Sequence, residues 1–179
     1  VPRPSDPGWA WRELEAGNRR WRTFHESHPD RAESVRRALV GGQHPFAVVL
    51  GCVDSRVPPE LVFDQGLGDL LTVRSAGEVL DEAVLDSIAY GVLELDVPLI
   101  VVLGHQGCAA VAAAVRADAE GTRLPAHIGY LTIGSGGMLG RTRRSPRMCA
   151  GCGPISRPSQ TWPTGSLLDG WPWWAPGTS

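Results

Sequence analysis

Two short apolar runs, each leading straight into a cluster of reactive side chains, constrain this chain more than anything else in it. Ala47-Val48-Val49-Leu50-Gly51 leads into Cys52-Val53-Asp54-Ser55-Arg56, and Leu99-Ile100-Val101-Val102-Leu103-Gly104 leads into His105-Gln106-Gly107-Cys108. Apolar runs this short, without polar alternation, read as strands covered on both faces, the kind from which parallel sheets are built. Asp81 to Leu95 carries Val84, Ile88, Val92 and Leu95 at helical spacing, and Cys108 to Ala119 is alanine-rich and helical. The alternation of strand and helix predicts an α/β fold, a mainly parallel β-sheet flanked by helices. In such sheets ligands bind beyond the carboxyl ends of the strands, and both reactive clusters fall there.

The remaining elements are read from caps and punctuation. Trp9 to Phe24 predicts a first helix anchored by Trp9, Leu14, Trp21 and Phe24. Asp30-Arg31-Ala32-Glu33 has the pattern of a capping box, and the helix it starts is expected to end at Gly41-Gly42. Pro58-Pro59-Glu60-Leu61 suggests a short helix with proline in its first turn, and Leu70 to Val73 a further strand.

Two thiols and an imidazole at one sheet edge are a ligand set for zinc, which takes cysteine sulfur and histidine nitrogen in tetrahedral geometry. A cysteine at a buried strand end is by itself commonly a small hydrophobe. Here Cys-x-Asp-x-Arg and His-x-x-Cys each close a buried strand of the same domain, which chance explains poorly. Cys52, His105 and Cys108 supply three ligands, and the fourth position falls to Asp54 or to water. Asp54 and Arg56 stand two residues apart, so on an extended loop they can face the same side and pair. With Asp54 held away, an open position on zinc lowers the pKa of water from about 15.7 to about 7.

These motifs resemble those of the β-class carbonic anhydrases. The resemblance runs from about Trp9 to Leu131 and includes Gln43-His44-Pro45, Phe63-Asp64-Gln65-Gly66-Leu67-Gly68-Asp69, Val73-Arg74-Ser75-Ala76-Gly77 and Val101-Val102-Leu103-Gly104-His105. It implies Cys52, His105 and Cys108 as zinc ligands and Asp54 with Arg56 as the catalytic dyad that gates the fourth position, where Asp54 is also a possible ligand in a closed state. Gln43 matches a glutamine that can hydrogen-bond bicarbonate. The implied reaction is reversible hydration of carbon dioxide to bicarbonate and a proton, in a homodimer or higher homo-oligomer whose interface lines the cleft. Hydrolysis of carbonyl sulfide or carbon disulfide, and a non-catalytic zinc-binding remnant, are the alternatives. Ala109 stands where the family usually has glycine and Glu78 where it has asparagine or histidine, and a carboxylate there is expected to weaken anion binding.

Composition sets the outer limits. The formal net charge of -2 gives no electrostatic reason to expect nucleic acid or an anionic membrane as partner, and no apolar run approaches the ~20 residues that span a bilayer. Val1-Pro2-Arg3-Pro4 lacks the apolar core of a secretory signal, so a cytoplasmic location is expected. From Gly134 the character changes: residues 134–179 hold 15 Gly or Pro among 46, with Trp171-Pro172-Trp173-Trp174 near the end. The expectation is a zinc domain over residues 1–133, truncated on its carboxyl side, and an atypical tail over 134–179 that does not fold as in the family. A change of reading frame near residue 133 would account for it. Cys149-Ala150-Gly151-Cys152 lacks both the strand-to-helix context of a redox motif and a second ligand pair. His25, His28, His44 and His127 are expected on surface loops.

Overall fold

A computed structural model describes residues 6–29 and 32–122 of the chain. The tail over 134–179, Cys149, Cys152, His127, Asp30 and Arg31 lie outside the described residues. The order is helix α1 (Pro7–Arg22), helix α2 (Glu33–Ala38) with a 3-10 turn (Leu39–Gly41), strand β1 (Ala47–Cys52), helix α3 (Pro59–Val62), strand β2 (Leu70–Ser75) with a 3-10 turn (Ala76–Glu78), helix α4 (Glu82–Leu93), strand β3 (Ile100–Leu103) and helix α5 (Ala109–Ala119). The three strands form one parallel sheet in the order β2-β1-β3, with Gly51 level with Arg74 on one side and with Leu103 on the other. The predicted fold class is therefore what the chain adopts.

The apolar run Ala47 to Cys52 is the central strand, and its six residues are all buried. Because successive side chains of a strand point to opposite faces, Ala47 and Val49 pack with Leu14, Phe63 and Val101 on the α1 and α3 side. Val48 and Leu50 pack with Val84 and Ile88 of α4 on the other. Full burial of each valine or leucine contributes about 1.5–3 kcal/mol, so β1 is the most strongly fixed element around the reactive cluster. The parallel crossovers put α1 and α3 on one face and α4 on the other, leaving the carboxyl ends of β1 and β3 side by side.

Polar contacts fasten α1 and the loop after it to the end of α3. Asp64, buried and at φ 46°, accepts from Arg20 Nε at 2.5 Å, from Ser27 N and Oγ at 3.0 Å and from His28 N at 3.0 Å. Burial alone would raise the carboxyl pKa, yet these hydrogen bonds outweigh it and bring it to about 2.

Three expectations need correction. Phe24 is not an anchor: α1 ends at Arg22, Thr23 Oγ1 caps it on Arg19 O at 3.0 Å, and Phe24 is 71% exposed at φ 56° where the chain turns toward Asp64. The second helix starts later than the pattern implies: Ala32 is its N-cap, with no side-chain capping hydrogen bond, and Glu33 pairs with Arg37, Oε1 to Nη2 at 2.6 Å. Its end is as expected: at Ala38 the helix passes into a 3-10 turn that finishes at Gly41, with Gly42 as C-cap. Strand β2 extends two residues past Val73, since Arg74 and Ser75 continue the ladder opposite Gly51 and Cys52.

Candidate metal centre

Each ligand candidate is placed by a strong structural cause. Cys52 is the last residue of β1, His105 follows β3 by two residues, and Cys108 is the N-cap of α5. Their ligating atoms all lie within 4.8 Å of one another, and all three residues are buried. The two Sγ atoms are 3.8 Å apart. Two zinc–sulfur bonds of about 2.3 Å at a tetrahedral angle put the sulfurs about 3.8 Å apart, so the pair has the spacing that zinc requires.

The imidazole supplies the second test of fit. His105 Nδ1 lies 3.0 Å from the Gln106 carbonyl, which fixes it as the protonated nitrogen and leaves the Nε2 lone pair facing the sulfurs. Nε2 is buried without a hydrogen-bond partner. An orphaned acceptor costs about 1–3 kcal/mol, a cost that a cation removes. Cys52 Sγ accepts from Gly77 N at 3.4 Å, a contact that depends on Gly77 standing at φ 63°, where side chains are rarely tolerated. Burial pushes the Cys108 thiol upward and nearby Cys52 adds to the shift, while the N–H groups of Val111 and Ala110 at the start of α5 oppose it. A bound cation would shift that balance toward thiolate.

Asp54 and Arg56 sit beside this group as the motif spacing suggested. Asp54 Oδ1 accepts from Arg56 N at 3.0 Å and Nε at 2.8 Å, and Oδ2 accepts from Arg56 Nη2 at 2.6 Å. The Arg56 side-chain hydrogen bonds hold the Asp54 carboxyl well below the usual carboxylate range, against the opposing effect of burial. Oδ2 remains 3.9 Å from His105 Nε2. The carboxylate is thus ionised, adjacent to the ligand group and turned toward the guanidinium. Arg56 Nη2 also donates to Gly107 O at 3.3 Å, tying the two motif loops together.

Gln43 is not brought to this site. It lies before the amino end of β1, exposed, beside Arg36, Leu39 and Leu67. A six-residue strand spans roughly 20 Å, which separates it from the carboxyl edge within one protomer. His25, His28 and His44 are exposed, as expected.

Sequence reasoning did not single out a role for Arg74, nor see that Glu78 would be buried. Glu78 is 6% exposed, at φ 54°, with Oε1 lacking a hydrogen-bond partner, and burial raises its pKa to about 7. A carboxyl whose folded pKa exceeds its unfolded value contributes stability that is complete below the unfolded pKa, here about 4.5, and is lost as pH rises through about 7. Glu78→Gln in the metal-free chain is therefore expected to match the wild-type melting temperature near pH 4 and exceed it by several degrees near pH 8. Parallel melts at both pH values check this, and equal melting at the higher pH would contradict it.

Fold and site together define an α/β protein with a Cys, His, Cys group that could hold a metal ion at the carboxyl edge of a parallel sheet. Comparison with known proteins shows what it is similar to. A carbonic anhydrase family model matches residues 47–132. The chain is 52% identical over 118 residues to carbonic anhydrase 2 of Mycobacterium tuberculosis, covering 66% of this chain and 57% of that protein. It is 52% identical over 117 residues to the carbonic anhydrase of Mycolicibacterium smegmatis, covering 65% and 57%. A solved β-carbonic anhydrase of Aspergillus fumigatus matches with 31% identity and a TM-score of 0.45 over 59% of this chain and 50% of that one. Over this part of its length the chain resembles the β-carbonic anhydrases. It spans little more than half the length of the two mycobacterial relatives. Among the described residues no helix is long and apolar enough to cross a membrane.

Proposed function

We propose that this chain binds one zinc ion through Cys52, His105 and Cys108 and catalyses the reversible hydration of carbon dioxide to bicarbonate. The observation that carries the reading is the unpartnered His105 Nε2 facing two sulfurs at zinc spacing, beside an Asp54 carboxylate held by Arg56. Zinc would supply acidification of water at neutral pH and so a nucleophile for a small electrophilic carbon. The chain supplies the rest. Asp54 Oδ2 is placed to accept a hydrogen bond from the attacking water and orient it, and Arg56 keeps that carboxylate ionised and off the ligand group. Gln43, remote within the protomer, can contact bicarbonate only across an interface between copies, which fits a homodimer or larger assembly. Residues 1–133 are taken as the zinc domain, and free thiols in the ligand set favour a reducing, cytoplasmic setting.

Stopped-flow measurement of carbon dioxide hydration by the zinc-loaded chain tests the reading, with sulfide release from carbonyl sulfide and carbon disulfide as the competing assay. One zinc per chain with hydration at the buffer rate would sink it. Asp54→Ala is expected to keep the metal and lose about 100-fold in rate. Arg56→Ala is expected to keep the metal and lose a similar factor, because the freed Asp54 carboxylate turns onto the ligand group. Asp54→Ala losing zinc as completely as Cys52→Ala would remove the gating role.

A further inference from the structure

The carboxyl end of β2 does more than extend the sheet. Arg74 donates from Nε to Cys52 O at 2.8 Å and from Nη2 to Asp54 O at 2.7 Å. Between those carbonyls, Val53 N donates to Ser75 O at 3.1 Å, and Gly77 N reaches Cys52 Sγ at 3.4 Å. Arg74 to Gly77 thus hold Cys52 to Asp54 through four hydrogen bonds. Packing contributes little there, since Val53 is 53% exposed and Ser55 is exposed as well. The course of the chain between a ligand candidate and the gating carboxylate is accordingly set by polar contacts, two of them from one guanidinium.

We propose that Arg74 is a positioning residue of the centre. Its planar fork fixes the carbonyls on either side of Val53 and so sets the direction in which the chain leaves Cys52. That direction aims the Asp54 carboxylate at Arg56, to which it is bonded through both oxygens. Arg74 acts only through these peptide groups, so its loss alters the surroundings of the metal rather than the ligand set. A lysine, with a single ammonium on a flexible stem, can keep one of the two bonds and not the rigid spacing between them.

Only the kinetic arm of this inference rests on the proposed hydration activity. The test uses the full chain and its Arg74→Gln and Arg74→Lys variants, each loaded with zinc for kinetics and with cobalt(II) for absorption spectroscopy. The expected result is about one metal per chain and cooperative unfolding in all three. The cobalt visible bands of Arg74→Gln should differ from wild type, with Arg74→Lys in between. For carbon dioxide hydration, kcat should fall about 10- to 100-fold in Arg74→Gln with KM changed far less, the pattern of a misplaced group. Wild-type cobalt bands in Arg74→Gln would overturn the inference, as would loss of metal or of cooperative folding in both variants, which would make Arg74 a structural residue only. A wild-type chain inactive toward carbon dioxide, with the cobalt bands shifted as described, would refute the proposed function and leave the positioning role standing.

Discussion

Alanine in place of Cys52, His105 or Cys108 is expected to abolish zinc binding and carbon dioxide hydration together. Structural zinc sites bind with about 10–16 kcal/mol shared by four ligands, so each ligand accounts for about 3–4 kcal/mol, or about 10²–10³ in affinity. A centre with three protein ligands has less to spare, and with two it should lose its metal on dialysis against a mild chelator. The three residues are equivalent in this respect despite different anchors: the end of β1, the loop after β3 and the N-cap of α5. Zinc content per chain after dialysis is the direct measure. An independent one is melting temperature, since zinc that binds only the folded chain raises it with concentration. Zinc should stabilise wild type and Asp54→Ala and leave the three ligand variants unchanged. Retention of stoichiometric zinc by Cys108→Ala would move the centre elsewhere.

What the sequence discloses here follows from which forces leave a pattern. Strands β1 and β3 are legible because burial on both faces demands uninterrupted apolar residues, and the clusters that follow stand out because thiols, imidazole and carboxylate are unusual in such places. Asp54 and Arg56 are legible for the same reason, as two opposite charges at a spacing that lets them meet. Arg74 is not, because its partners are backbone carbonyls, which every residue carries. Glu78 is legible as a departure from the family pattern but not as a buried group, since only the packing of that turn against β1 and α5 buries it. The Asp30 to Glu33 pattern places the helix start two residues early, since Ala32 is the N-cap and Glu33 pairs with Arg37 one turn on, a choice between partners that local spacing cannot judge. Gln43 shows the limit most clearly. The resemblance matches it to a bicarbonate-binding glutamine, and only the strand laid between it and Cys52 shows how far apart the two lie within one chain. Its proposed role then depends on a second copy.

Gly17 gives a stability test in which two principles point in opposite directions. It lies inside α1, where alanine is intrinsically about 1 kcal/mol better than glycine, so propensity alone predicts that Gly17→Ala stabilises the chain. Position reverses this. A Cβ there would stand 1.7 Å from Phe63 O, 2.8 Å from Phe63 C and 2.9 Å from Gln65 Nε2. Two of these atoms are backbone at the end of α3, so relief requires the helices to separate. Separation would strain the buried bond from Asn18 Nδ2 to Val62 O at 3.0 Å and the Arg20 bond to Asp64. It would also open the cluster of Ala10, Leu14, Val62 and Phe63 beneath β1. Overpacking costs about 1–3 kcal/mol and a stranded buried polar group a further 1–3, so the expected net effect after the helix gain is a loss of about 1–5 kcal/mol. For a domain of this size that lowers the melting temperature by roughly 2–20 °C. Gly41→Ala is the control, because an added Cβ there meets nothing within 4 Å, and it should melt with wild type. Metal-free melts of the three proteins decide between the principles. If Gly17→Ala melts at or above wild type, α1 is not seated on α3 at this glycine; if it melts low yet still binds zinc when folded, the helix contact supports the fold while the metal centre is held by the sheet edge.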